Sequence, residues 1–227
     1  MIENRRVAIV YRSLCFLIIL AGLLKHLGVF AGTFRFKSLM YYTTQSNLFA
    51  LFVFGLLAFK TVKAYQIELK HGQTGYYPRF EMICVVDIFL TLLVYWIILV
   101  PTGYQTSHGI SLWSFENLSI HLLSPVLCFV DYIIFAKSQH LKYHDVYLTL
   151  VFPVFYLAMS SVAGFAGYIY RLSPSGNPIH YPYFFLNYKD SGIRSIFYIG
   201  ILLIVLLVVS HIFYAVDRYW KKPQINI

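Results

Sequence analysis

Charge is scarce in this chain: 12% of its 227 residues are Asp, Glu, Lys or Arg, against 59% hydrophobic, and the mean hydropathy is +0.67. A soluble domain of this length needs far more polar surface to cover its core, so that class is excluded and a bilayer is the expected solvent. Cysteine is nearly missing. Cys15, Cys84 and Cys128 all fall inside apolar runs, are odd in number and form no CxxC pair. That pattern argues against a disulfide framework and a zinc site, and the three read as small packing residues. No metal and no cofactor are expected. A long linker, a low-complexity tract and a repeat between the two halves are also lacking, so one membrane domain spanning 1–227 is expected.

What is present is apolar sequence in long runs. Six segments, about 7–30, 40–64, 82–100, 115–137, 145–170 and 192–216, each reach the roughly 20 residues a helix needs to cross a ~30 Å hydrocarbon layer. The expected fold is all-α, an integral membrane protein with six transmembrane helices. MIENRR resembles the basic start of a signal peptide, but the apolar run that follows is too long and lacks a small-residue cleavage site before Lys25 and His26, so it is kept as helix 1. With the N-terminus inside, the inner segments hold Arg5, Arg6, Lys60, Lys63, Lys70, Arg79, Lys137, Lys142, Arg218, Lys221 and Lys222. The outer ones hold only Arg35, Lys37, Arg171, Lys189 and Arg194. This positive-inside bias predicts both termini in the cytoplasm and residence in the cell membrane. The net charge of +9 is thereby spent on orientation, and no nucleic-acid partner is expected.

The longest loops, about 65–81 with HGQTG and about 171–191 with SPSGNP, read as connecting turns rich in Gly and Pro. The outer loop 101–114 contains no Lys or Arg. In IHYPYFFLNYKD, Tyr181 and Tyr183 beside proline either fold back as a lid or form an ordinary aromatic belt at the interface.

Polar residues inside the apolar runs carry most of the information, because a carboxylate at a helix centre costs roughly 2.5–3.5 kcal/mol on insertion scales and therefore faces the bundle interior. Five places qualify: Thr43 to Asn47, Asp87, His121, Asp131 and His211. Thr43 and Thr44 lie about 5–6 Å below the outer end of helix 2, and His121 about 9 Å below that of helix 4, at ~1.5 Å per residue. These form an outer polar layer. Asp87, Asp131 and His211 are expected to gather in an inner one. Thr43 and Asn47 share a helical face, as do Asn117 and His121. Pro125 cannot donate to the carbonyl of His121, four residues earlier, so a local kink is expected there.

A neutral imidazole is the usual base for a hydroxyl nucleophile near pH 7. A threonine facing His121 could therefore attack an ester carbonyl, with Asn47, Gln45 or Asn117 donating to the oxyanion. The same residues equally suit back-bonding threonines and a histidine that merely bridges helices.

The segments YYTTQSNLF, HLLSPVLCFVDY and YPYFFLN together resemble the androgen-induced protein family and its prokaryotic six-helix relatives, whose length is similar to this chain's. The characterised animal members are threonine hydrolases that cleave fatty acid esters of hydroxy fatty acids, with a Thr on helix 2 and a His on helix 4. The resemblance implies that His121 is the base. The prokaryotic pattern, an aromatic followed by T-x-Q-S-N, selects Thr43, whereas the animal spacing, Thr three residues before Asn or Asp, selects Thr44. The expected activity is intramembrane hydrolysis of an acyl lipid, with membrane lipids or an acyl-lipid substrate as partner and the oligomeric state open. A non-enzymatic lipid or proton-linked carrier, using Asp87, Asp131 and His211 as a relay, and a structural membrane protein without chemistry are the alternatives.

Overall fold

The computed structural model describes residues 2–67, 70–103, 111–137, 140–173 and 175–220. Six helices long and apolar enough to cross a membrane organise it: α1 Arg5–His26, α2 Tyr42–Ile67, α3 Pro78–Leu99, α4 Phe115–Ile134, α5 Asp145–Phe165 and α6 Ile193–Tyr219. Helix α1 begins and ends earlier than its apolar run. The Asn4 side chain accepts from the amides of Arg6 and Val7, and Gly28 adopts a left-handed φ of 77° that no helix continues through.

One end of the bundle gathers the start of the chain and two loops. The amide of Ile2 donates to Ile134 O at 3.0 Å, Arg5 N to Lys70 O at 3.0 Å and Gly72 N to Glu3 O at 2.9 Å. The end of α6 joins them, since the Tyr132 hydroxyl donates to Phe213 O at 3.4 Å. Both described ends of the chain therefore lie at this base. The opposite end carries residues 27–41, 111–114 and 166–192.

Polar residues concentrate inside and apolar ones outside. Arg12, Thr44, Asn47 and Asp87 are 0% exposed, whereas Phe52, Ile97 and Phe197 are 60–66% exposed. That inversion is expected where hydrocarbon is the solvent, since acyl chains accept apolar side chains but no hydrogen-bonding group. Helix α1 approaches α4 closely at Gly22: a Cβ there would stand 2.2 Å from Ser119 Oγ, so only glycine allows this contact.

Both long loops are more than turns. In the first, Thr74 is fully buried and its hydroxyl is within hydrogen-bond distance of Ile2 O and Phe135 O, at 3.2 and 3.1 Å. In the second, β1 Arg171–Leu172 pairs antiparallel with β2 Pro178–Ile179. The chain then turns back into the bundle, burying Tyr181, Tyr183, Phe185 and Leu186. Tyr181 lies flush on α5, where a Cβ on Gly164 would come within 2.2 Å of its ring. Half of the 101–114 loop, residues 104–110, lies outside the described residues, as do Lys221 and Lys222.

Candidate functional site

Two helices loosen into π-turns at the same level, Val94–Leu99 in α3 and Ser119–Leu123 in α4. The cause in α4 is Pro125. Its ring displaces the carbonyl four residues back, that of His121, and the Ser124 amide reaches Ser119 O instead. The freed His121 carbonyl accepts from the Trp96 indole Nε1 at 3.1 Å, so the expected kink is present and its carbonyl is satisfied by the other π-turn.

His121 is held from two sides. Its Nδ1 lies 3.2 Å from Asn117 O, and since a carbonyl can only accept, Nδ1 carries the proton. Tyr95 stacks on the ring at 3.6 Å between centroids and 18° between planes. The remaining nitrogen, Nε2, has no hydrogen-bond partner among the described residues. A neutral, oriented imidazole with a bare Nε2 is the arrangement of a general base.

On the facing side of α2, Thr44 Oγ1 and Asn47 Oδ1 are buried without partners among the described residues, while the Tyr95 hydroxyl interacts with the Asn117 side chain. Each such atom costs about 1–3 kcal/mol. Asn47 ties this layer together, donating to Thr43 O at 2.8 Å and to Ile120 O, next to His121, at 3.0 Å. Asn47 thus joins α2 to α4 next to His121.

The two threonines divide. Thr44 is fully buried with its hydroxyl unpaired, on the side of α2 that Asn47 turns toward α4. Thr43 instead lines an almost wholly apolar cavity of about 80 Å³ enclosed by α2, α3, α5, α6 and the returning 181–186 segment. Tyr42, Tyr95 and Tyr183 share that lining, and His121 does not. Tyr183 interacts with Thr43 and Tyr156, and burial pushes its phenol up to about 12. No hydrogen bond joins His121 to either threonine. Tyr95 is the residue common to the histidine and the cavity.

The expected supporting residues fare unevenly. Both amide protons of Asn47 are engaged by carbonyls, so it has none for an oxyanion. Gln45 donates to Leu39 O at 3.1 Å and contacts Met159 Sδ, bracing the start of α2. Asn117 gives one proton to Leu112 O at 2.8 Å and serves His121 through its backbone. The second amide proton of Asn117 and the Tyr95 hydroxyl, which interacts with the Asn117 side chain, are the donors of this layer that no carbonyl engages. Tyr183 lies on the cavity as a lid residue, while Tyr181 packs behind it on Gly164.

The inner layer is not a cluster. Asp131 is engaged by Arg12, with Nε to Oδ1 at 2.8 Å and Nη2 to Oδ2 at 3.1 Å, and Arg12 Nη1 reaches Thr61 Oγ1 and Thr74 O at 3.0 and 2.6 Å. Asp87 belongs elsewhere, accepting from the Tyr42 hydroxyl at 3.4 Å beside the apolar cavity. His211 bonds its own helix, Nδ1 to Leu207 O at 2.7 Å, and meets Tyr143. Depth along a helix places residues at a level but leaves their azimuth open, which is why three residues of one level fall in three places. Arg12 is the residue that this reasoning overlooked. Its signal was available, a cation inside an apolar run that requires a buried anion. Tyr95 and Trp96 carried none, since aromatic residues are ordinary in such helices.

Among the described residues, no three His, Cys, Asp or Glu side chains converge as metal ligands. The six membrane-length helices define the class, a multi-pass helical bundle with a polar centre beside an apolar cavity. No protein-family model, no curated protein and no solved structure matches this chain.

Proposed function

We propose that this chain is an intramembrane hydrolase of lipid acyl esters, with an α2 threonine as nucleophile and His121 as base. The observation that carries the reading is the His121 imidazole, fixed at Nδ1 by Asn117 O with Nε2 bare, in one buried layer with the unpaired Thr44 hydroxyl. Nε2 takes the threonine proton as Oγ1 bonds to the ester carbonyl carbon, and the Tyr95 hydroxyl donates to the oxyanion. Collapse expels the alcohol, which leaves with the proton from His121. Water, deprotonated by the same nitrogen, then releases the acyl group from threonine. Thr43 has access to the cavity and Thr44 has the unpaired hydroxyl, so the two share what a nucleophile needs. A proton-linked carrier finds less support, because Asp131 is occupied by Arg12, and among the described residues no hydrogen bond joins it to Asp87 or His211.

The test is ester cleavage by purified protein in detergent across a panel of acyl esters. His121→Ala and one of Thr43→Ala and Thr44→Ala should each abolish cleavage while the protein stays folded. The double variant should be little worse than either, since the pair acts as a unit. Folded single variants that cleave every ester the wild type cleaves would refute the hydrolase.

A further inference from the structure

The apolar cavity has a polar neighbour. At the lid end a pocket of about 420 Å³ is lined by Arg171, His180, Asn187 and Lys189, together with the hydroxyls of Ser173 and Ser175. Among its described lining residues Arg171 and Lys189 stand against one carboxylate, Asp190, which accepts from Asn187 Nδ2 at 2.6 Å. His180 donates from Nδ1 to Tyr168 O at 3.0 Å, which keeps its ring in place on the pocket wall. Tyr183 lines both this pocket and the apolar cavity beneath, and its hydroxyl interacts with Thr43. Tyr183 is thus the residue shared by a cationic basin and an apolar slot.

We infer that the basin between the β1–β2 hairpin and residues 180–190 binds the anionic headgroup of an acyl lipid whose chain passes Tyr183 into the apolar cavity. The two compartments match the two halves of such a molecule. Arg171 supplies a planar fork suited to a phosphate or a carboxylate, and Lys189 a point charge. Neither compartment alone selects a lipid: the basin would take any small anion and the slot any chain. Tyr183 joins them so that the bond linking head to chain lies at the level of Thr43. This rests on the hydrolase reading only for what happens to that bond.

Binding can be read without turnover, by native mass spectrometry of the full chain in detergent titrated with phosphatidylglycerol, phosphatidylcholine and oleate. Phosphatidylglycerol, oleate or both should bind more tightly than phosphatidylcholine, and which of the two anions wins identifies a phosphate or a carboxylate head. Arg171→Gln and Lys189→Gln should each lower that preference about fivefold, the value of roughly 1 kcal/mol per basic side chain near a lipid surface. The charge-retaining Arg171→Lys with Lys189→Arg should keep it. A phosphatidylglycerol bearing a photoreactive headgroup should label residues 171–190 of the wild type, which tests the site even if the neutral variants fail to fold. Equal binding of charged and zwitterionic lipids, a preference that survives in folded Gln variants, or labelling confined elsewhere would overturn the inference. Lipid binding without ester cleavage would sink only the hydrolase, and cleavage without headgroup preference only this site.

Discussion

A single arginine shows how the bundle tolerates charge. The Arg12 guanidinium is 0% exposed and meets Asp131 through two bonds, with Thr61 and Thr74 taking the rest of its fork. Removing one partner strands the other charge out of reach of water, at about 3–5 kcal/mol. Arg12→Met and Asp131→Asn should therefore each lower the thermal midpoint in detergent sharply, and Arg12→Met with Asp131→Leu should recover a large part of the loss. A double variant no better than the worse single would show that the pair does more than neutralise itself. At the same scale, Tyr183 carries a titration that reports on the lid. Burial raises its phenol to about 12, so the neutral form is favoured in the folded state. The stability this contributes is intact below the ordinary tyrosine value near 10 and is lost as pH rises through 12. Proteolysis within 171–191 should accelerate over that window in the wild type and shift little in Tyr183→Phe. Equal acceleration in both would refute the assignment.

At the scale of helices, irregularity positions the candidate site more than regular geometry does. A straight α4 would keep the His121 carbonyl inside the helix ladder and deny Trp96 its acceptor. Pro125→Ala restores the missing N–H. It should stabilise α4 locally while reducing ester cleavage on the order of tenfold or more, since small misplacements of a catalytic group are costly. Unchanged cleavage in a folded Pro125→Ala protein would separate the π-turn from function. Proline made this kink legible in the sequence. The matching π-turn at Val94–Leu99 carried the same signal unread: Pro101 stands two residues past its end, as Pro125 does past the other, and the Val100 amide likewise reaches back five residues to Tyr95 O.

At the scale of the whole molecule, the described ends of the chain share one end of the bundle with the 70–77 loop and the end of α4. From the distribution of basic residues we propose that this end faces the cytoplasm. A membrane-impermeant maleimide added to intact cells should modify Thr33→Cys and Ser175→Cys and spare Lys70→Cys and His140→Cys. The reverse pattern would invert the orientation.

Helix number, helix placement and the polar level near one end of the bundle followed from composition and run length, because hydrocarbon penalises every misplaced polar group and so writes its demands plainly into a chain. The same rule required Asp131 to face inward and be paired. What only packing decided was azimuth and long-range partnership. Arg12 and Asp131 are 119 residues apart, and Tyr95 stacks on a histidine from another helix. Thr43 and Thr44, adjacent in the chain, point to a cavity and to a buried polar layer, respectively. Neighbours in sequence on a helix are about 100° apart around its axis, and which of those directions meets cavity, partner or lipid is settled by the helices that close around it.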